Sequence, residues 1–188
     1  MLSRLIGYLL RGKKAGEQKL AWYHPAVAGA PESLLLCSPA FANGETIPTL
    51  HAGKGVGSNR SPALAWQGIP EGTRELLLIV EDADAPLPRP FVHLIASSID
   101  PKRSAVPEGA LETPEDAVAL LGRNSFGKTV YAGPRALPGH GPHRYSFQLL
   151  ALSRALRFDA PPKLTEVLAA LDGAVLARGR LDGIFERH

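Results

Sequence analysis

Cysteine is almost missing from this chain of 188 residues, in which Cys37 is the only one. A lone cysteine excludes an internal disulfide and leaves no cluster of thiolate metal ligands, a pattern that fits a reducing compartment. Because Cys37 stands in an apolar run, we expect it to be a buried core thiol. The fold is therefore expected to depend on packing rather than on covalent cross-links.

Long apolar runs are absent as well. No stretch approaches the roughly 20 residues that span a bilayer. The opening MLSRLIGYLLRGKK carries an apolar stretch of only about six residues with no small-residue cleavage site close behind, which is too short for a secretory signal. We therefore expect no transmembrane segment and a cytoplasmic protein.

The chain also lacks a large excess of charge of either sign. Its 21 basic and 18 acidic residues give a formal charge of +3. Five basic residues lie in the first twenty positions: Arg4, Arg11, Lys13, Lys14 and Lys19. The remainder is close to neutral and shows no aromatic residues interleaved with lysine or arginine, so nucleic-acid binding is not expected.

Glycine and proline, in contrast, are plentiful. The nineteen glycines and seventeen prolines are scattered among short apolar runs, which indicates many turns and mostly β structure. Length and a hydrophobic content of 45% fit one domain with one sizeable core. Four runs have the length of strands, and their apolar character on both faces is typical of central strands. They are 33–38, 75–82, 91–99 and 144–152.

Helices are predicted near both termini. Leucines and valine at helical spacing indicate a helix over about 163–171, followed by a short helical or extended segment to residue 181. Residues 2–10 form an amphipathic pattern, so we divide the chain into a helical extension over 1–20 and a single domain over 21–188. The first helix is expected to pack on its own domain or on a sister subunit, as in a homodimer. A membrane-surface anchor and disorder are the alternatives.

Two histidines and a tyrosine are expected to meet at strand ends. Side chains alternate along a strand, so His143 and Tyr145 point to one face, and His93 shares a face with Ile95. Asp82 ends the strand that precedes His93. Imidazole and phenol donors suit an anion such as phosphate, and the carboxylate suits a zwitterionic ligand whose ammonium group it meets.

The same residues leave an enzyme open as an alternative. Asp82, His93 and His143 are of the types that act as acid and base in a hydrolase or lyase. Ser146 points away from His143, which argues against a Ser–His–Asp triad, and the sequence has no G-x-S-x-G turn. A zinc site built from the two histidines and Asp82 lacks short ligand spacing, so we predict no metal.

Five blocks of the sequence resemble, in order, those of the phosphatidylethanolamine-binding protein family, and more narrowly its bacterial Raf-kinase-inhibitor-like branch. They are NRSPALAWQGIPEGT (59–73), LLLIVEDADAP (76–86), FVHLIASSI (91–99), GRNSFGKTVYAGP (122–134) and GHGPHRYSFQLLAL (139–152). The resemblance implies a Greek-key β-sandwich of antiparallel sheets with peripheral and C-terminal helices. It also implies a small surface pocket for phosphate or phosphorylated head groups such as phosphoethanolamine, and no cofactor.

The resemblance further assigns roles to single residues. The implied ligand-binding residues are Asp82, His93, His143 and Tyr145, with Gly133 and Pro134 shaping the pocket rim. The implied structural supports are Asp84, Pro86 and Arg144. We expect Asp84 and Arg144 to form an ion pair with each other, because strand alternation turns Arg144 away from the pocket.

Four positions depart from the family pattern. Ala83 stands where the family has proline between two aspartates, Leu94 replaces an aromatic residue, and Ala136 and Leu137 replace prolines. Loops without these prolines are less fixed in φ. The departures therefore bear on pocket shape and ligand choice more than on fold.

From the sequence we thus expect a binding protein rather than an enzyme. Its ligand is a phosphate-type anion or a phospholipid head group, and regulation of a partner protein is a further expectation. Two alternatives stay open: an unrecognised hydrolase or lyase, and a protein-interaction scaffold with an idle pocket.

Overall fold

A computed structural model of the protein describes residues 2–115 and 118–187. Its strands are β1 (Leu35–Cys37), β2 (Leu64–Gln67), β3 (Glu75–Asp82), β4 (Phe91–Ile99), β5 (Ala105–Val106), β6 (Leu120–Leu121), β7 (His143–Leu152) and β8 (Val175–Phe185). Its α-helices are α1 (Leu2–Leu9), α2 (Pro25–Ala28) and α3 (Leu164–Leu171). Both predicted helices are therefore confirmed. None of the helices in the described part of the chain has the length and hydrophobicity needed to cross a membrane.

Two antiparallel sheets face each other. The larger has the order β6-β4-β3-β7-β8 and the smaller β1-β2-β5. A long connection brings β7 beside β3, the kind of return that defines a Greek key. The main core lies between the sheets and includes Trp66 from the smaller sheet and Leu78 and Phe147 from the larger. The predicted antiparallel sandwich is confirmed.

Helices cover the second face of the larger sheet. Leu77 and Ile79 of β3 belong to a core cluster with Val27 of α2 and Val167 of α3. All residues of β3 are buried, as are nearly all of β7. Burial on both faces explains why these two strands read as continuous apolar runs, and their predicted central position is confirmed. The segment after α3 is extended, as β8, rather than helical.

Strand β1 shows that two predictions were wrong. The run 33–38 does not form a central strand, because β1 has three residues and lies at the edge of the smaller sheet. Alternation therefore places Leu36 in the core, whereas Leu35 is 68% exposed and Cys37 is exposed rather than a core thiol. Because Leu35 is as apolar as Leu36, composition alone cannot reveal which face meets solvent.

The N-terminal arm, residues 2–20, crosses one end of the sandwich. Helix α1 touches the domain at Gly7, whose backbone packs closely against the loop 138–140. Further along the arm, Ala15 donates its backbone N–H to the loop 83–85. The arm is thus packed along much of its length, and its division from the rest of the chain as a separate extension stays a prediction.

Candidate functional site

Three strands of the larger sheet end at one place, and the predicted site residues lie there. Asp82 is the last residue of β3 and pairs across the strands with Tyr145 of β7. His143 begins β7, two residues before Tyr145 and on the same face. The rings of His93 and Tyr145 are 5.0 Å apart, edge to face. The structure thus brings together the four side chains that the sequence places in a pocket.

A β-bulge turns His93 toward this cluster. The sequence predicts that His93 shares a face with Ile95, because side chains alternate in a regular strand. In the structure the pairing of β4 with β3 shifts between Leu94 and Val92, which leaves His93 as the extra residue. Ile95 consequently packs in the core on the opposite face, whereas His93 contacts Tyr145. The convergence is correct, but the predicted shared face is wrong.

Three hydrogen bonds hold the Asp82 carboxylate. Its Oδ1 accepts the backbone N–H groups of Asp84 at 2.8 Å and Ala85 at 3.0 Å, which close the turn after β3. Its Oδ2 lies 2.7 Å from Nδ1 of His143. A carboxylate in this position fixes the orientation of the imidazole and leaves its Nε2 available for another partner.

A third histidine, His140, is the partner of Nε2 of His143. It was not predicted from the sequence. Nδ1 of His140 lies 2.8 Å from Nε2 of His143, and its Nε2 lies 3.0 Å from the backbone oxygen of Lys13. Gly139 and Gly141 on either side both have positive φ, a conformation that glycine adopts readily. Paired glycines around a histidine were the signal that could have found it.

Asp82, His143, His140 and the Lys13 carbonyl form a row of three hydrogen-bonded contacts. These contacts can be used to count the protons that the three side chains need. One proton lies between Asp82 and His143, and one lies between His143 and His140. A third must sit on the His140 nitrogen that faces Lys13, because a carbonyl oxygen only accepts. Two neutral imidazoles carry two N–H groups in total. Hydrogen bonds at all three contacts therefore use one proton more than two neutral imidazoles supply.

His93 is a neutral imidazole at neutral pH. Its Nδ1 is hydrogen-bonded to the backbone carbonyl of Ala132. Burial lowers the pKa of His93, and the nearby Asp82 carboxylate and the Ala132 carbonyl offset only part of that effect. Nδ1 therefore carries the proton, and Nε2 offers a lone pair to a ligand.

Tyr145 supplies an unused donor. Its hydroxyl is buried and has no hydrogen-bond partner in the described part of the protein. Burial raises the pKa of Tyr145 well above its usual value, and the Asp82 charge adds to this increase. The backbone N–H groups of Arg135 and Ala136 lie near the Tyr145 oxygen and offset part of this increase in pKa. Neither group completes a hydrogen bond to the oxygen. At physiological pH the group is an O–H donor, and no acceptor for it lies among the described residues.

The predicted rim residues Gly133 and Pro134 are both buried in the loop that follows Ala132. A Cβ on Gly133 would overlap the backbone oxygen of His51. The Pro134 carbonyl accepts the N–H of Gly53 at 2.9 Å. These contacts hold the loop against the segment 51–53. A role for the two residues in shaping a pocket rim stays a prediction.

The predicted ion pair between Asp84 and Arg144 is wrong, and their role as structural supports of the site stays a prediction. Asp84 Oδ1 lies 2.7 Å from Nζ of Lys14, and the Arg144 guanidinium lies 2.9 Å from Glu17. The two residues meet through the backbone instead, because Asp84 Oδ2 accepts the N–H of Arg144 at 2.7 Å. Both side chains thereby tie the N-terminal arm to the site. Pro86 follows this turn and is half-buried.

Solvent hardly reaches the four ligand-binding candidates. Asp82 and His93 are each 4% exposed, His143 2% and Tyr145 1%. The resemblance implies a small surface pocket, whereas here the residues form a closed cluster, against which His140 and the N-terminal arm lie. Within residues 2–115 and 118–187, no group of three or more His, Cys, Asp or Glu side chains is placed to hold a metal ion.

Comparison with known proteins agrees with the resemblance seen in the sequence. The family model described as phosphatidylethanolamine-binding protein matches residues 37–186. The UPF0098 protein PYRAB11530 of Pyrococcus abyssi is 35% identical over 164 residues, which are 86% of this chain and 90% of that protein. LppC of Mycobacterium tuberculosis, named as a candidate lipoprotein, is 39% identical over 161 residues, 85% of this chain and 75% of LppC.

A solved structure agrees as well. The homologue CT736 from Chlamydia trachomatis superimposes with a TM-score of 0.75 at 30% sequence identity. The match covers 84% of this chain and 99% of CT736. The N-terminal arm lies outside the residues that the family model matches.

Proposed function

This chain belongs to the phosphatidylethanolamine-binding protein family, and on that premise we propose that it binds a phosphate-type anion, free or as the head group of a phospholipid. The proposed ligand-binding residues are Asp82, His93, His143 and Tyr145. Phosphoethanolamine carries both a phosphate and an ammonium group. Hydrogen-bond donors suit the first group and a carboxylate suits the second, so one cluster can serve both ends of such a ligand.

The unpartnered hydroxyl of Tyr145 carries this proposal. A buried O–H group without an acceptor costs free energy, and native structures leave few such groups without a partner, water or ion. The backbone N–H groups of Arg135 and Ala136 near the same oxygen add donors rather than acceptors. An anion is the kind of ligand that a group of donors in a buried site favours.

The ligand must displace His140. Of the two ring nitrogens of His143, Nδ1 is held by Asp82, so Nε2 is the atom that remains for a phosphate oxygen. Nδ1 of His140 now lies 2.8 Å from that atom. The closed cluster is therefore proposed to be a ligand-free form that opens when the loop around His140 moves away.

Thermal unfolding with inorganic phosphate and with phosphoethanolamine tests the proposal. A ligand at about 100 times its Kd stabilises the native state by about 2.7 kcal/mol, which is expected to raise Tm by several degrees. Tyr145→Phe removes only a hydroxyl that completes no hydrogen bond with the described residues. This variant is expected to stay folded and to lose most of the protection.

Tyr131→Phe is the matched control. Tyr131 is equally buried, but its hydroxyl donates to the backbone oxygen of His51 at 3.1 Å. The variant is expected to be less stable by about 1 kcal/mol and to keep the full protection by phosphate. Absence of protection by either compound at millimolar concentration, or undiminished protection of Tyr145→Phe, would contradict the proposal.

The contact between Asp82 and His143 favours a second candidate function. A carboxylate 2.7 Å from an imidazole is an arrangement that serves general acid–base chemistry, here in a hydrolase or lyase with His93 as the second group. Turnover of a phosphoester panel that His93→Ala abolishes would support it. A protein-interaction scaffold with an idle site predicts neither turnover nor protection by phosphate.

Location, oligomeric state and partner regulation stay proposals. A cytoplasmic location is tested by cell fractionation, and LppC, a relative named as a candidate lipoprotein, shows why the test is needed. Light scattering of the full chain and of a chain without residues 1–15 tests the predicted homodimer. Regulation of another protein would be supported if the chain captured a partner protein and added phosphate released that partner.

A further inference from the structure

Helix α1 presents an apolar stripe to solvent. Leu2 and Leu9 are 73% and 74% exposed, and Leu5 and Ile6 are 57% and 41% exposed. These positions follow the i, i+3, i+4, i+7 spacing of one helix face. Gly7 is the buried residue of the helix. A contiguous exposed apolar face of this kind marks an interaction surface.

Four basic residues lie in α1 and in the segment just after it: Arg4, Arg11, Lys13 and Lys14. Two of them also contact the domain, because Arg11 donates to the Gly139 carbonyl at 2.9 Å and Lys14 lies 2.7 Å from Asp84. The arm has one acidic residue, Glu17, and its carboxylate is already paired with Arg144 and Arg180. The arm is therefore a basic segment whose one acid is neutralised by the domain.

We propose that α1 docks on an anionic bilayer surface. The leucine stripe would lie at the boundary between head groups and acyl chains, and the excess positive charge of the arm would attract it to the lipid phosphates. Docking in this way needs no spanning helix, because a short amphipathic helix lies in the plane of the interface.

Charge favours a bilayer over a second copy of the chain. In a two-fold symmetric interface the same surface meets itself. Two α1 helices packed stripe to stripe would bring the basic residues of one copy close to those of the other, and like charges repel. An anionic bilayer supplies the opposite charge together with an apolar layer.

The arm holds α1 beside the buried site. The Lys14 ammonium lies 2.7 Å from Asp84, and the Lys13 carbonyl lies 3.0 Å from His140. Leu87, in the loop that follows Asp84, is also exposed. A docked helix is therefore connected, through Lys14 and Lys13, to the loop after β3 and to His140. Docking does not require the buried site to bind a head group, so the two proposals can fail separately.

Sedimentation of the full chain with vesicles tests the docking. Vesicles of phosphatidylcholine with about one third phosphatidylglycerol are compared with phosphatidylcholine alone, each at about 0.1 M and 0.5 M NaCl. We expect the chain to sediment with the anionic vesicles at low salt and about tenfold less at high salt or with neutral vesicles. L5D/L9D is expected to abolish sedimentation.

L35D/L120D is the matched control. Leu35 and Leu120 are 68% and 65% exposed and belong to the edge strands β1 and β6, so this variant adds the same charges and should sediment like the wild type. Three results would overturn the proposal: no sedimentation with anionic vesicles, equal sedimentation of L5D/L9D, or a lipid-free dimer that L5D/L9D converts to a monomer. The last result would show that a second copy covers the stripe.

Discussion

Nε2 of His143 lies 2.8 Å from Nδ1 of His140, so His140 occupies the position at which a ligand is proposed to meet His143. On its other side His143 is held by Asp82 at 2.7 Å, and His140 is held by the Lys13 carbonyl at 3.0 Å. One loop histidine thus connects the carboxylate of the site to the N-terminal arm. Displacement of His140 by a ligand is therefore expected to loosen the arm as well.

Replacing His140 with alanine is expected to raise the affinity for phosphate. The ligand then no longer has to break a hydrogen bond between two imidazoles, which is worth about 0.5–1.5 kcal/mol. We expect the Kd for phosphate to fall about two- to tenfold in calorimetric titrations. His24→Ala is the control, because His24 caps α2 rather than contacting the site. Unchanged or weaker binding by His140→Ala would show that His140 does not occupy the ligand's place.

His93 is expected to titrate below the usual range of histidine. Burial lowers its pKa, so as the pH falls below about 6.5 the unfolded chain takes up a proton before the folded chain does, and stability is lost. A bound phosphate favours the imidazolium and should raise the pKa of His93. NMR titration of the ring C–H signals, assigned with His93→Gln, measures both values. A ligand-free pKa at or above the ordinary one would contradict the neutral assignment.

Strand alternation predicted the part of the site that lies on regular strands. β7 pairs with β3 without a register shift, so His143 and Tyr145 point the same way and Asp82 lies opposite Tyr145. Alternation does not explain the position of His93, because a bulge in β4 turns its side chain toward the cluster. That bulge arises from how β4 pairs with β3. Pairing between strands is a tertiary property that periodicity along one strand cannot reveal.

Contacts between distant segments explain the other failures. Arg144 and Glu17 are 127 positions apart, and no local pattern links them, so Arg144 was assigned to the nearer Asp84. His140 has its role because Lys13 comes to lie against it. Cys37 is exposed because alternation turns it, with Leu35, to the face of the smaller sheet opposite the core that Leu36 enters. In each case the deciding partner is fixed by the assembled fold.

Glu81 is a buried acid whose neutralisation is expected to stabilise the protein at neutral pH. Its Oε2 accepts the N–H of Ala21 at 2.8 Å and a side-chain N–H of Gln148 at 2.9 Å. Burial nevertheless raises the pKa of Glu81. The unfolded chain therefore releases this proton at a lower pH than the folded chain, and stability falls as the pH rises above the ordinary value of 4.5.

Glu81→Gln keeps an oxygen acceptor and removes the charge. Urea unfolding of both proteins at several pH values gives the free energy of unfolding of the variant minus that of the wild type. We expect this difference to move in favour of the variant as the pH rises from about 4.5 to about 7. Because other titrating groups are common to both proteins, their effects largely cancel. A difference that does not change with pH would contradict the raised pKa.

Gly7 is expected to determine whether α1 lies against the domain. A Cβ at this position would overlap the backbone oxygen of Pro138 and lie 2.8 Å from the backbone nitrogen of His140. Backbone atoms cannot move aside as a flexible side chain can. Gly7→Ala should therefore lift α1 off the loop, although alanine favours a helix over glycine by about 1 kcal/mol.

Hydrogen exchange distinguishes a detached α1 from a docked one. A helix of eight residues is not stable alone in water, so the α1 amides of Gly7→Ala are expected to exchange faster than in the wild type. The amides of β3 and β7 should keep their protection, because the core does not depend on this contact. Gly29→Ala is the control, since a Cβ there meets no atom within 4 Å. Unchanged exchange of the α1 amides in Gly7→Ala would mean that other contacts hold the helix. The close approach at Gly7 would then not determine the position of α1 beside His140.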